Sequence, residues 1–121
     1  MDEQLDFQVV TRHNPTYTVP EGEIIFEQGD PADEMFVVKS GEVEIRIGDR
    51  LLERVTSGGI FGEMAIVDGG NRSATAIAVS EAELVPLNRK QVVFLIGQLP
   101  FFALNIMKVM SRRLRAATET V

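Results

Sequence analysis

The chain contains no cysteine among its 121 residues. Disulfides, thiolate catalysis, iron–sulfur clusters and thiolate zinc sites are therefore excluded. It has one histidine, His13, too few for a ligand cluster on a transition metal, and His13 is read as inert. No apolar run approaches the ~20 residues needed to span a bilayer, so no membrane insertion is expected. The N-terminus, MDEQLDF, is acidic where a secretory signal is basic, which makes a cytoplasmic location the default. Positive charge is also scarce. A net charge of −6 does not provide the basic surface that phosphate-backbone binding needs, so direct nucleic-acid binding is not expected.

The charge that is present is unevenly placed. Residues 1–34 carry nine acids against Arg12, whereas the last fourteen carry Lys108, Arg112, Arg113 and Arg115 against Glu119. Cations near a helix end suit its macrodipole. The length allows one domain with one core, and 45% hydrophobic with 25% charged residues is an ordinary globular composition. There is no internal repeat and no low-complexity segment.

From Tyr17 onward, short apolar runs alternate with turn formers. TYTV, EIIF, MFVVKS, EVEIRI, LLERV, SATAIAV and AELVPL each predict a strand. PEGE, EQGDPAD, SGE, IGDR and TSGG separate them, with Gly supplying positive φ, Pro fixing φ and Asp capping turns. Many short strands at near-regular spacing predict an antiparallel barrel, sandwich or roll. In EVEIRI the alternation directs Val43, Ile45 and Ile47 inward and Glu42, Glu44 and Arg46 outward. Before this region, Leu5, Phe7, Val9 and Val10 give a weak lead-in helix or strand over residues 1–16. After Asn88 the period changes. RKQVVFLIGQ predicts a short helix, Gly97 and Pro100 punctuate, and a second helix is expected from Phe101 to Ala117. On it Phe102, Ile106, Val109 and Arg113 share one face, beside a second stripe of Ala103, Met107, Met110 and Leu114.

The segment IFGEMAIVDGGNRSATAIA, residues 60–78, carries the chemistry. Gly62 lets the backbone approach a partner closely, and GEMAIV predicts one helical turn. The first amides of such a turn point outward and favour an anion. Asp68-Gly69-Gly70-Asn71 returns the chain, and Arg72, which begins the next strand, presents a planar fork of donors suited to phosphate. Glu63 would repel that phosphate, so it must serve another group, such as ribose hydroxyls. An anion site beside a hydroxyl-reading carboxylate specifies a nucleotide.

FGEMAIVDGGNRSATAIA resembles the phosphate-binding cassette of cyclic-nucleotide-binding domains, the family of the bacterial catabolite activator, the protein kinase A regulatory subunit and cyclic-nucleotide-gated channels. Upstream, GEIIFEQGDPADEMFVVKSGEVEIRI and SGGIFGE are similar to the family's strand–GD–strand–G–strand and G-x-x-F-G-E patterns, so the likeness covers about 100 of the 121 residues in order and in secondary structure. It implies a mainly β fold, a jelly-roll β-roll with flanking helices. It divides the single domain into a lead-in (1–16), a roll (17–88) with its cassette at 60–75, and C-terminal helices (89–121). It further implies that Glu63 accepts from the ribose 2′-hydroxyl near the Gly62 amide, and that Arg72 pairs with the cyclic phosphate. The amides of Met64, Ala65 and Ala74 would donate to phosphate oxygens, and the Ser73 hydroxyl would reach phosphate or a syn purine. Ile45 and Leu52 fall at pocket-lining strand positions. Arg113 falls where several bacterial relatives place a residue of the last helix that meets the ligand or Glu63.

The ligand implied is cAMP or cGMP, with no further cofactor, no metal and no catalysis. Ser73 fits either base, and RSA in bacterial relatives favours cAMP. Binding is expected to be read out through the last helix, whose second stripe is apolar enough to pack on the roll, on a second copy of the chain in a homodimer, or on an effector protein. Three rivals stand beside this sensor. A ligand-free domain of the same fold would act as a protein-interaction module, although an unliganded buried Arg72 is costly to retain. A cupin-type metalloenzyme lacks its histidines. A transcription factor needs a helix-turn-helix, which the chain does not carry before Val121. Met1 reads as a natural start and Val121 carries no mark of a natural end, so a complete protein and the sensor part of a longer one both stay open.

Overall fold

A computed structural model describes residues 7–12 and 14–119; Leu5 and His13 lie outside the described residues. The chain runs α1 (Phe7–Arg12), β1 (Tyr17–Val19), β2 (Ile24–Phe26), β3 (Glu34–Ser40), β4 (Val43–Ile47), β5 (Arg50–Val55), β6 (Ile60–Phe61), α2 (Met64–Val67), β7 (Thr75–Ala78), β8 (Ala82–Asn88), α3 (Arg89–Gln98) and α4 (Phe101–Glu119). The strands form two antiparallel four-stranded sheets, ordered β1-β8-β3-β6 and β2-β7-β4-β5. This is the expected jelly-roll architecture with flanking helices.

The apolar runs explain the layering. In β3, Phe36 and Val38 enter a core with Val43, Ile45 and Phe61, while Met35 and Val37 enter a second core with Val92, Leu95, Phe102 and Ile106. β8 divides the same way, with Leu84 in the first core and Val85 and Leu87 in the second. Successive side chains of a strand point to opposite faces, so a continuous run such as MFVV is buried on both sides. One sheet is thus the middle layer, with the other sheet on one face and the helices on the other. β6, which was not anticipated, pairs Phe61 with Phe36 and Ile60 with Val37, and the two phenyl rings stack with centroids 5.1 Å apart.

Two residues of β4 differ from expectation in their burial. Ile47, directed inward by the alternation, is exposed, because the strand runs out at the β4–β5 hairpin and its register shifts between Ile45 and Arg46. Glu44 is on the outward face yet buried, held by Arg46 at 2.7 Å and by Arg54 at 3.2 Å.

The helices follow their local signals. Asn88 caps α3, accepting from the Gln91 amide at 2.9 Å while the Gln91 side chain accepts from the Asn88 amide at 2.7 Å. This reciprocal box contributes about 1 kcal/mol. Gly97 lies inside α3 rather than ending it. α4 runs to Glu119, slightly past Ala117. Its face Phe102, Ile106 and Val109 is buried in the second core, whereas Met107 and Leu114 of the second stripe are exposed. Burial of a side chain such as Phe102 stabilises by about 2–3 kcal/mol, which fixes α4 on the roll and determines what its next turn faces.

Candidate functional site

A cavity of about 540 Å³ opens between the roll, the cassette and α4. All ten residues that the sequence singled out line it: Gly62, Glu63, Met64 and Ala65 around α2, Arg72, Ser73 and Ala74 before β7, Ile45 and Leu52 on β4 and β5, and Arg113 on α4. Five lining residues were not foreseen as site residues: Phe26, Asn71, Met110, Ser111 and Leu114. Met110 and Leu114 carried a signal as members of the second α4 stripe. Phe26 carried none beyond its strand.

Arg72 lies in the loop before β7 rather than in the strand. Its backbone is gripped by the EQGD turn: the Arg72 amide donates to the Asp30 carbonyl and the Gly29 amide donates to the Arg72 carbonyl, both at 2.8 Å. The Asp30 carboxylate closes that turn by accepting from the Glu27 amide at 2.9 Å. The guanidinium carbon then sits over the Phe26 ring, 4.0 Å from its centroid, a cation–π contact. Nη1 makes a long bond of 3.3 Å to the Gly62 carbonyl. Nε is buried with no hydrogen-bond partner among the described residues. Burial lowers the pKa of this arginine, against the opposing pull of Glu34, Asp33 and Asp30. None of these carboxylates pairs with it among the described residues, and its Nε stays unpartnered.

Gly62 makes this placement feasible. Its φ of +75° is in the left-handed region, and a Cβ there would be 2.8 Å from Arg72 Nη1. A non-glycine residue would be strained and would push the guanidinium aside. The next residue, Glu63, has helical backbone angles and precedes α2. Its carboxylate is only 1% exposed and accepts from Arg113 Nη1. Arg113 also donates from Nε to Glu53 at 3.0 Å and from Nη2 to the Ile60 carbonyl at 3.2 Å. Glu53, which the sequence did not flag, accepts from Arg112 at 2.8 Å as well.

The smaller positions behave as follows. The Ala65 amide makes a long 3.3 Å bond to the Gly62 carbonyl. Met64 and Ser73 are exposed at the cavity and Ala74 is buried. Asp68 accepts from the Gly70 amide at 2.9 Å, which is turn chemistry of the kind expected for it. Among the described residues, no group of three or more His, Cys, Asp or Glu could hold a metal ion, and no helix is long and apolar enough to cross a membrane. The cavity therefore offers an under-used cation, a buried carboxylate and apolar walls from Phe26, Ile45, Leu52, Met110 and Leu114. That combination suits a ligand with one anionic group, a hydroxyl and a flat apolar ring.

Known proteins resemble this chain over most of its length. Residues 17–98 match the family model described as the cyclic nucleotide-binding domain. A cyclic AMP receptor protein of Thermus thermophilus is 41% identical over 103 residues, covering 81% of this chain and 48% of the relative. A cyclic nucleotide-gated potassium channel of Rhizobium etli is 35% identical over 95 residues, covering 78% of this chain and 26% of the channel. Among solved structures, the Thermus thermophilus catabolite activator protein superposes with a TM-score of 0.79 at 35% identity, over 94% of this chain and 56% of that one. The chain thus spans about half the length of the receptor it matches.

Proposed function

The chain belongs to the cyclic nucleotide-binding domain family, and from that membership we propose that its cavity binds a 3′,5′-cyclic purine nucleotide, cAMP in preference to cGMP. In this reading the chain is a sensor that binds the nucleotide without altering it. The cyclic phosphate sits on Arg72, with the amides of Met64, Ala65 and Ala74 and the Ser73 hydroxyl around it. The ribose 2′-hydroxyl donates to Glu63 near the Gly62 amide. The purine lies against Ile45, Leu52 and α4.

One observation carries the proposal: Arg72 is buried at the cavity with an unpartnered Nε. A desolvated cation with a donor left unpaired is costly, and an entering phosphate would offer it an acceptor in a charge-assisted bond. The lean toward cAMP rests on Ser73 following Arg72 and on the printed name of the Thermus receptor. Occupancy is relayed through α4, because Arg113 of that helix touches Glu63 of the cassette. The exposed stripe residues Met107 and Leu114 are the surface through which a second copy or an effector would receive the signal.

Calorimetric titration with cAMP, cGMP and linear AMP side by side tests this. Tight binding of cAMP is expected, with AMP far weaker because the open monophosphate adds charge and bulk. Equal affinity for AMP and cAMP would sink the phosphate assignment. No heat with any cyclic nucleotide would favour the ligand-free interaction module instead. Recovery of unaltered cAMP after prolonged incubation checks that no catalysis occurs.

A further inference from the structure

Glu53 occupies an unusual position for a carboxylate. Its Cα pairs with that of Ile45 across β4 and β5, and residues paired in this way project to the same face of a sheet. Ile45 is buried and lines the cavity, so Glu53 starts on the inward face, where a carboxylate needs a counter-charge. The counter-charge comes from α4. Arg113 Nε reaches one oxygen at 3.0 Å, and Arg112 reaches the other at 2.8 Å. The Arg112 side chain is 59% exposed, so that second pair is screened by water and contributes little.

The Arg113 pair is different. The Arg113 side chain is 21% exposed, and its other donors go to Glu63, 1% exposed, and to the Ile60 carbonyl. A planar guanidinium satisfied on three edges is fixed in both plane and position. Each edge meets a different element: β5 through Glu53, β6 through Ile60, and the start of α2 through Glu63. Removal of Glu53 would free the Nε edge and leave Arg113 to follow the motion of α4. Met110 and Leu114, neighbours of Arg113 on α4, would then lose their fixed place in the cavity wall.

We propose that Glu53 is a positioning residue for the nucleotide site, acting through Arg113: it holds the guanidinium on Glu63 and keeps α4 closed as one wall of the cavity. This inference rests on the nucleotide-binding reading above and extends the site to β5, outside the cassette.

The test is a double-mutant cycle read by cAMP calorimetry, together with hydrogen exchange of the ligand-free chain. Glu53→Gln keeps the shape and removes the charge. It should weaken cAMP binding about tenfold, within the range of coupling between contacting residues. Arg113→Gln should weaken it at least as much, and the double variant should bind no worse than Arg113→Gln alone, because the two act as one unit. Arg112→Gln should stay within twofold of the parent. Without ligand, Glu53→Gln should speed exchange over residues 104–116. The proposal is overturned if the two losses multiply in the double variant, if Glu53→Gln binds within twofold of the parent, or if Arg112→Gln alone loses tenfold. If even the parent binds no cyclic nucleotide, the nucleotide reading fails, and the exchange arm then decides the positioning role: faster exchange in Glu53→Gln supports it, and unchanged exchange overturns it.

Discussion

Arg72 and Arg113 line one cavity, and their surroundings contrast. Arg72 rests on the Phe26 ring, with a buried Nε that has no hydrogen-bond partner and one long bond to a carbonyl. Arg113 donates to Glu53, Glu63 and Ile60. A buried guanidinium with unused donors is prepared for an anion that arrives from outside, at a cost to the ligand-free fold. A guanidinium whose donors are engaged stabilises the fold and ties its elements together. On the proposed function, the cassette side of the cavity would be the binding side and the α4 side the coupling side.

The contrast breaks most sharply at Arg72. Arg72→Ala should lose about 2–5 kcal/mol of nucleotide binding, roughly thirtyfold to several-thousandfold in affinity. Its melting temperature should hold or rise, because no bond to a charged partner is lost. Near-parental affinity in the folded variant would show that the phosphate goes elsewhere. Arg113→Leu should differ by lowering stability in addition to weakening binding. It strands the Glu63 carboxylate, at about 2–3 kcal/mol, or about 10 °C in a thermal melt. A melt unchanged by Arg113→Leu would remove the distinction between the two sides. Glu63→Ala should cost less affinity than Arg72→Ala, since a hydroxyl carries no full charge.

Gly62→Ala sharpens the comparison, because it acts on the binding side through geometry alone. The new Cβ meets Arg72 Nη1 at 2.8 Å on a backbone of φ +75°. A stability loss of about 1–2 kcal/mol is expected, together with weaker nucleotide binding but no change in the α4 contacts. Affinity equal to that of the parent would mean that the observed pose of Arg72 is not the binding pose. Base preference should be a smaller effect. cAMP should bind more tightly than cGMP, and a preference for cGMP beyond tenfold, ~1.4 kcal/mol, would overturn the lean drawn from Ser73.

The smallest effect concerns α4 itself. A ligand that contacts the helix in one of its positions shifts the population toward that position. Residues 101–117 should therefore gain hydrogen-exchange protection with nucleotide, along with residues 60–75. Protection confined to 60–75 would make α4 a static cover and Arg113 a purely structural link.

Much of this molecule is written locally. A period of two over EVEIRI, a period of 3.6 after Asn88, and Gly, Pro and Asp between the runs act over a few residues, so most strands and helices could be read before any packing was known. The order FGEMA, spacer, RSA placed Glu63 and Arg72 near each other for the same reason, since one turn and one loop separate them. Other features depend on partners remote in the chain. Glu53 reads as an ordinary strand charge until α4, 60 residues later, brings Arg113 to it. Phe26 becomes a platform only because the EQGD turn grips the Arg72 backbone. Ile47 departed from its alternation because of a register shift, and Glu44, on the outward face as expected, is buried by two flanking arginines. The sequence by itself determined most of the strands and helices and the order of the cassette residues, because short-range backbone and side-chain preferences suffice for those. Only the tertiary structure decided which arginine keeps its donors available and which is engaged, because that depends on which side chains packing brings within hydrogen-bonding distance.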